Sequence, residues 1–206
     1  MTYKTEQENF WAGNFGDDYI DRNKSKELFA ANLNFFTKAL RSAEKINSVV
    51  EFGANIGMNL RALKMLYPDQ QQSGVEINQI AADQLKEFIG DDSVFVGSIL
   101  DFEPKNPVDL ALIKTVLIHI NPEMLPAVYD KLYEASNRYV LVCEYYNPSP
   151  MTVNYRGHNE RLFKRDFCGE MLDRFSDLRL VDYGFAYKRD VFSQDDITWF
   201  LMEKCG

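Results

Sequence analysis

The stretch Ser48-Val49-Val50-Glu51-Phe52-Gly53-Ala54-Asn55-Ile56-Gly57 constrains the fold of this chain more than any other. It reads as a short buried strand that closes near an acidic residue and breaks into a glycine turn. A helix then opens in Met58-Asn59-Leu60-Arg61-Ala62-Leu63-Lys64-Met65-Leu66-Tyr67. Gly53 and Gly57 remove side chains where a ligand must lie against the backbone, and glycine accepts turn dihedrals at little cost. The helix start leaves free N–H groups facing whatever sits above it. Strand, glycine turn and helix in succession describe a crevice for a nucleotide-type cofactor.

The spacing argues against a dinucleotide. That fingerprint is G-x-G-x-x-G, whose middle glycine admits a pyrophosphate. Here the pattern is G-x-x-x-G, with Asn55 inside it. The next strand, Gln72-Ser73-Gly74-Val75-Glu76-Ile77-Asn78, carries Glu76 near its end, 19 positions beyond Gly57 (76 − 57). A carboxylate so placed can take both hydroxyls of a ribose as donors. On these residues the chain resembles the class I S-adenosylmethionine-dependent methyltransferases, whose first motif runs acidic-x-Gly-x-x-x-Gly and whose second strand ends in Asp or Glu. The competing view is an α/β domain with an ordinary tight turn and a surface glutamate.

Composition narrows the class. A chain of 206 residues fits one domain with a single core. Its 46% apolar and 14% aromatic content excludes general disorder. No run approaches the ~20 apolar residues that span a bilayer, and the start of the chain has no apolar stretch of the signal-peptide kind. Cys143, Cys168 and Cys205 lie far apart without metal-ligand spacing, which suits reduced thiols in a cytoplasm and no metal site. A net charge of −8 speaks against nucleic acid as partner. The oligomeric state is not legible.

Along the chain, an aromatic and polar segment covers 1–23, and a helix with apolar residues Phe29, Leu33, Phe36 and Leu40 follows. Strands are expected at about 47–52, 72–77, 93–97, 108–113 and 138–144, with helices at about 57–67 (stopped by Pro68), up to Gly90, and after Asn121-Pro122. Residues 145–165 read as a functional loop or lid. A short helix near 166–175 precedes two last strands, about 178–187 and 196–203, with no helix between them. The alternation predicts a doubly wound, mostly parallel seven-stranded Rossmann-like α/β sheet with a terminal antiparallel hairpin. Segment 1–45 is expected to pack as lid and helices on a core at 46–206, within one structural domain.

Ligands in such a sheet bind beyond the carboxyl ends of the strands. Those ends carry Glu51, Gly53, Asn55 and Gly57, then Glu76 and Ile77, then Ser98 and Ile99, then Lys114. The methyltransferase resemblance implies that Ser98 reaches the adenine amino group, that Ile99 packs on the ring, and that backbone near Lys114 follows the methionine portion. Trp11 and Tyr19 can cap the cofactor with Arg22 near its carboxylate, or else staple the first helix; Gly13 and Gly16 suggest a lid rather than a helix. His119 is the catalytic candidate, since a hydroxyl acceptor needs a base; otherwise it merely bonds within its turn. Tyr155, Arg156, His158 and Arg161 lie in a cationic segment that can hold an anionic substrate; alternatively its charges pair locally with acidic neighbours.

On Phe10 to Asn23, Val49-Val50-Glu51-Phe52-Gly53, Val75-Glu76-Ile77-Asn78, Val116 to Pro122 and Tyr155-Arg156-Gly157-His158, the chain is further similar to the pseudaminic acid biosynthesis-associated methylases. That resemblance implies S-adenosyl-L-methionine as cofactor and a small, anionic or sugar-type acceptor from a nonulosonic-acid pathway, methylated at O or N. A non-catalytic scaffold of the same fold and an NAD(P)-dependent oxidoreductase are the alternatives.

Overall fold

The computed structural model of the chain describes residues 3–22, 24–155 and 157–205; at 21, 22 and 158–160 the backbone alone is described. Its elements are α1 (Glu6–Ala12), α2 (Asn14–Arg22), α3 (Lys26–Ala39), β1 (Ser48–Phe52), α4 (Met58–Leu66), β2 (Gln71–Glu76), α5 (Gln79–Ile89), β3 (Val94–Val96), β4 (Val108–Lys114), α6 (Leu125–Ala135), β5 (Ser136–Glu144), β6 (Met151–Tyr155), β7 (His158–Lys164), α7 (Phe167–Arg174), β8 (Leu178–Ala186) and β9 (Ile197–Lys204). Seven strands form one sheet in the order β3-β2-β1-β4-β5-β9-β8. The first five are parallel, and β9 runs antiparallel between β5 and β8. This is the doubly wound α/β arrangement expected from the alternation of elements.

Parallel strands buried on both faces should be continuously apolar, and the buried centres of β4 (Leu110 to Ile113) and β5 (Tyr139 to Cys143) are. Their side chains alternate between two cores. Leu110, Leu112 and Leu141 join the core under α3 and α4 with Phe35, Phe36 and Leu60. Ala111, Ile113, Val140 and Val142 join the core under α6 and α7 with Leu132 and Met171. Full burial of Phe35 and Phe36 stabilises α3 on the sheet by roughly 1.5–3 kcal/mol for each side chain. Register aligns Phe52 with Val75 on one side and Ile113 on the other, so these strands release the chain at one level. Among the described residues no helix is long and apolar enough to cross a membrane.

Two expectations need correction. The N-terminal segment is helical despite its glycines. Thr5 and Glu8 form a reciprocal capping box that starts α1, Gly13 separates α1 from α2, and Gly16 lets α2 close on its neighbours. A Cβ at Gly16 would lie 2.0 Å from the Trp11 carbonyl oxygen and 2.9 Å from Asn78 Nδ2. Segment 145–165 is not one loop either: it contains the separate hairpin β6–β7, in which Tyr155 pairs with His158 around Gly157 at φ +87°.

Candidate functional site

The carboxyl ends of β1 to β4 open on a single cavity of about 200 Å³, roofed by α1, α2 and the loop before β9. The glycine turn forms its floor. Gly53, Asn55 and Gly57 all have positive φ, at 72°, 48° and 81°, a region open to glycine and tolerated by asparagine. A Cβ on Gly53 would sit 2.5 Å from Val116 Cγ2. The turn after β4 therefore packs straight onto the glycine turn, and no larger residue fits.

Glu76 faces this floor, 7% exposed. The Asn55 N–H donates to its Oε2 and the Asn78 N–H to its Oε1, each at 2.7 Å. Burial pushes its pKa up, while the N–H groups of Asn78, Asn55 and Ile77 oppose that shift. A carboxylate has about four lone-pair sites. The Asn55 and Asn78 N–H groups fill one on each oxygen and the Ile77 N–H also bears on the carboxylate, so at least one site stays open to a hydroxyl donor.

Glu51 does not line the cavity. It is buried beneath, accepts from Asn59 Nδ2 at 2.6 Å, and burial pushes its pKa up to about 8. Its Oε2 and the Asn59 Oδ1 are buried without partners. Gly57 also stands outside the cavity wall, capping α4. Lys114 lines the cavity, with Nζ 3.4 Å from Asn32 Oδ1. Burial pulls its pKa down against the opposing carboxylates of Glu51, Asp195 and Glu144.

His119 ends a single 3-10 turn, Leu117–His119, after β4. Its Nδ1 lies 2.6 Å from the Arg161 carbonyl oxygen on β7. A carbonyl only accepts, so Nδ1 carries the proton. Burial lowers the imidazole pKa to about 4, against that hydrogen bond. At neutral pH the ring is uncharged and Nε2 keeps its lone pair. The rings of Trp11 and Tyr155 flank it at 4.6 and 4.9 Å between centroids. Trp11 Nε1 is buried in this wall without a partner, a donor left for a ligand.

The turn bearing His119 is held from β5. Glu144 Oε1 accepts the Val116 and Leu117 N–H groups at 2.9 and 2.8 Å. Glu144 is 2% exposed, its Oε2 is unpartnered, and burial pushes its pKa up to about 8. Thr115 meanwhile adopts φ 56°, unusual for a β-branched residue.

Of the residues expected from sequence, Trp11, Tyr19, Gly53, Asn55, Glu76, Ile77, Ser98, Ile99, Lys114 and His119 line this same cavity. Tyr155 and Arg161 stand beside it against His119. Arg165 pairs with its neighbour Glu170 at 2.6 Å, whereas Arg161 Nη2 pairs at 3.1 Å with Glu6, 155 residues earlier on α1. Arg156 and the side chains of Arg22 and His158 lie outside the described residues. Glu8, Asn32, Gln194, Asp195 and Glu144 were not read from the sequence. Asn32 interrupts an apolar helical stripe, and Glu144 closes its strand as Glu76 closes β2; both signals are in the sequence.

No family model and no curated protein matches the chain. Solved structures do. The magnesium protoporphyrin IX methyltransferase of Synechocystis PCC 6803, with bound SAM, superposes with a TM-score of 0.68 at 10% identity over 99% of this chain and 100% of its own. The 1,6-didemethyltoxoflavin-N1-methyltransferase of Burkholderia thailandensis, with bound S-adenosylhomocysteine, gives 0.72 at 11% identity over 97% and 87%. The mitomycin 7-O-methyltransferase gives 0.66 at 13% identity over 97% and 61%. The likeness is one of fold. The pseudaminic acid-associated family finds no counterpart among these neighbours.

Proposed function

We propose that the chain is an S-adenosyl-L-methionine-dependent methyltransferase acting at O or N of a small acceptor, of anionic or sugar type. The observation that carries this is the state of Glu76: a carboxylate at the end of β2 that keeps accepting capacity beyond its backbone N–H bonds, matching a ribose diol. The same cavity holds a neutral histidine with Nε2 bare. The fold neighbours crystallised with SAM or S-adenosylhomocysteine support the cofactor.

Glu76 would hold the ribose, and the glycine turn would let the cofactor lie on the backbone. The Trp11 indole N–H and the Lys114–Asn32–Gln194 group would meet polar atoms farther along it. The cofactor contributes an electrophilic methyl on sulfur. The protein aligns the acceptor with it and excludes water. His119 Nε2 would take the proton that the acceptor's O or N gives up on methylation. Arg161 supports the anionic reading: its partner Glu6 is 83% exposed, an ion pair of little strength that an acceptor carboxylate or phosphate can replace.

Incubation with labelled S-adenosylmethionine and a panel of sugar acids, nucleotide sugars and small neutral phenols or amines tests this. Mass spectrometry should find one added methyl on an anionic sugar. Methylation of none of the panel, with no S-adenosylhomocysteine formed, would contradict it.

A further inference from the structure

We infer that Glu8, brought into the cavity by α1, accepts the 6-amino group of the cofactor's purine. This rests on the cofactor proposed above and adds the residue that selects its base.

The sheet order fixes where the base must go. Glu76 ends β2, and His119 follows β4, two strands away on the far side of β1. A nucleoside held by its ribose at Glu76, with its reactive 5′ end toward His119, points its base the other way, over β3. There Ile77 and Ile99 offer apolar surfaces for the ring faces. Of the polar side chains lining the cavity from α1 and the turn after β3, Ser98 and Glu8 bond to each other and are both 8% exposed.

Their hydrogen bonds leave one kind of vacancy. The Ser98 hydroxyl donates to Glu8 Oε1, and Ser98 Oγ accepts the Leu100 N–H at 3.0 Å. Glu8 Oε2 accepts the N–H groups of Lys4 and Thr5 at 2.6 and 3.0 Å. With three of about four lone-pair sites filled, the carboxylate keeps one, on Oε1. It can only accept, so it matches a 6-amino group and opposes a 6-oxo group. Nothing on β3 itself presents a carboxylate; the acceptor arrives from a helix 90 residues earlier in sequence. The Lys4–Asp101 ion pair ties the same helix start to the turn after Ser98. The base subsite is therefore complete only when α1 is docked.

Calorimetry with S-adenosylhomocysteine and S-inosylhomocysteine tests this on the wild-type chain and on Glu8→Gln. The glutamine keeps the cap, because its amide oxygen can accept the Lys4 and Thr5 N–H groups, and it turns an NH₂ donor toward Ser98 and the purine. The wild type should prefer the adenosyl compound about 10- to 100-fold. Glu8→Gln should shrink that preference at least tenfold or reverse it. Equal wild-type affinities would overturn the inference whether or not the variant folds, and so would an unchanged preference in a folded Glu8→Gln. Failure of the wild type to bind S-adenosylhomocysteine would instead sink the proposed function.

Discussion

The cavity wall along β1, β2 and β3 and the wall around His119 are built in different ways. The first is made almost wholly by chain leaving one sheet edge. Gly53, Asn55 and Glu76 stand within three residues of a strand end; the Gly53 N–H bonds to the Val75 carbonyl and the Asn55 N–H to the Glu76 carboxylate. The second is assembled from distant pieces: His119 after β4, its anchor Glu144 on β5, the Arg161 carbonyl on β7 and the Trp11 ring on α1. Grip on the cofactor's ribose thus depends on local geometry, whereas base recognition through Glu8 and acceptor chemistry depend on distant segments docking correctly. Substitutions in the two walls should separate affinity from turnover.

The largest separation is expected at His119. His119→Ala should lower kcat by roughly 10²- to 10⁴-fold, the usual range for a general base, with S-adenosylhomocysteine affinity unchanged by calorimetry. Its ring should titrate near pH 4 by NMR rather than near 6.5. Because the folded pKa lies below the unfolded one, the stability this implies is full above about 6.5 and is lost as pH falls toward 4. An NMR titration near 6.5 would deny the neutral, fixed tautomer.

On the other wall, Glu76→Ala should do the reverse. Hydroxyl–carboxylate bonding worth about 1.5–3 kcal/mol amounts to roughly ten- to hundredfold weaker S-adenosylhomocysteine binding. Binding within threefold of wild type would remove Glu76 from the ribose site.

Glu144 sharpens the contrast, since it touches the acceptor wall only through the turn that carries His119. Glu144→Ala should lower kcat about tenfold and stability by about 1–3 kcal/mol, the cost of leaving buried N–H groups unpaired, while sparing cofactor affinity. Glu144→Gln, which can still accept both N–H groups, should recover most turnover. Burial raises the Glu144 pKa to about 8 from an ordinary 4.5, so the folded state holds its proton longer. Wild-type stability should fall as pH climbs from about 4.5 to 8, and Glu144→Gln should flatten that slope in urea titrations.

The smallest effect is expected at Arg161. Arg161→Ala removes an ion pair whose Glu6 side is 83% exposed, so stability should change by about 1 kcal/mol. The acceptor KM should rise several-fold while cofactor affinity holds.

These differences also explain what could be read from sequence. The strand-end motifs were legible because each is local: a glycine that must turn, an acid that must face a diol. The parallel sheet followed from alternating patterns, and the last antiparallel pair from the missing helix between β8 and β9. Helix α1 was misread because Gly13 and Gly16 hid a start signal, Thr5-x-x-Glu8, that the capping box makes plain. The β6–β7 hairpin was hidden by its basic, polar composition, although Tyr155 and His158 bracket a glycine turn. The Glu8–Ser98 and His119–Arg161 pairs span 90 and 42 residues. Tertiary packing alone brings such partners together, and nothing local announces it.

The most direct test is a calorimetric titration of the wild-type chain with S-adenosylhomocysteine beside NADH. One equivalent of S-adenosylhomocysteine should bind, and NADH should give no saturable heat. Saturable NADH binding with none for S-adenosylhomocysteine would mean that the crevice above Gly53 and Glu76 serves a different cofactor.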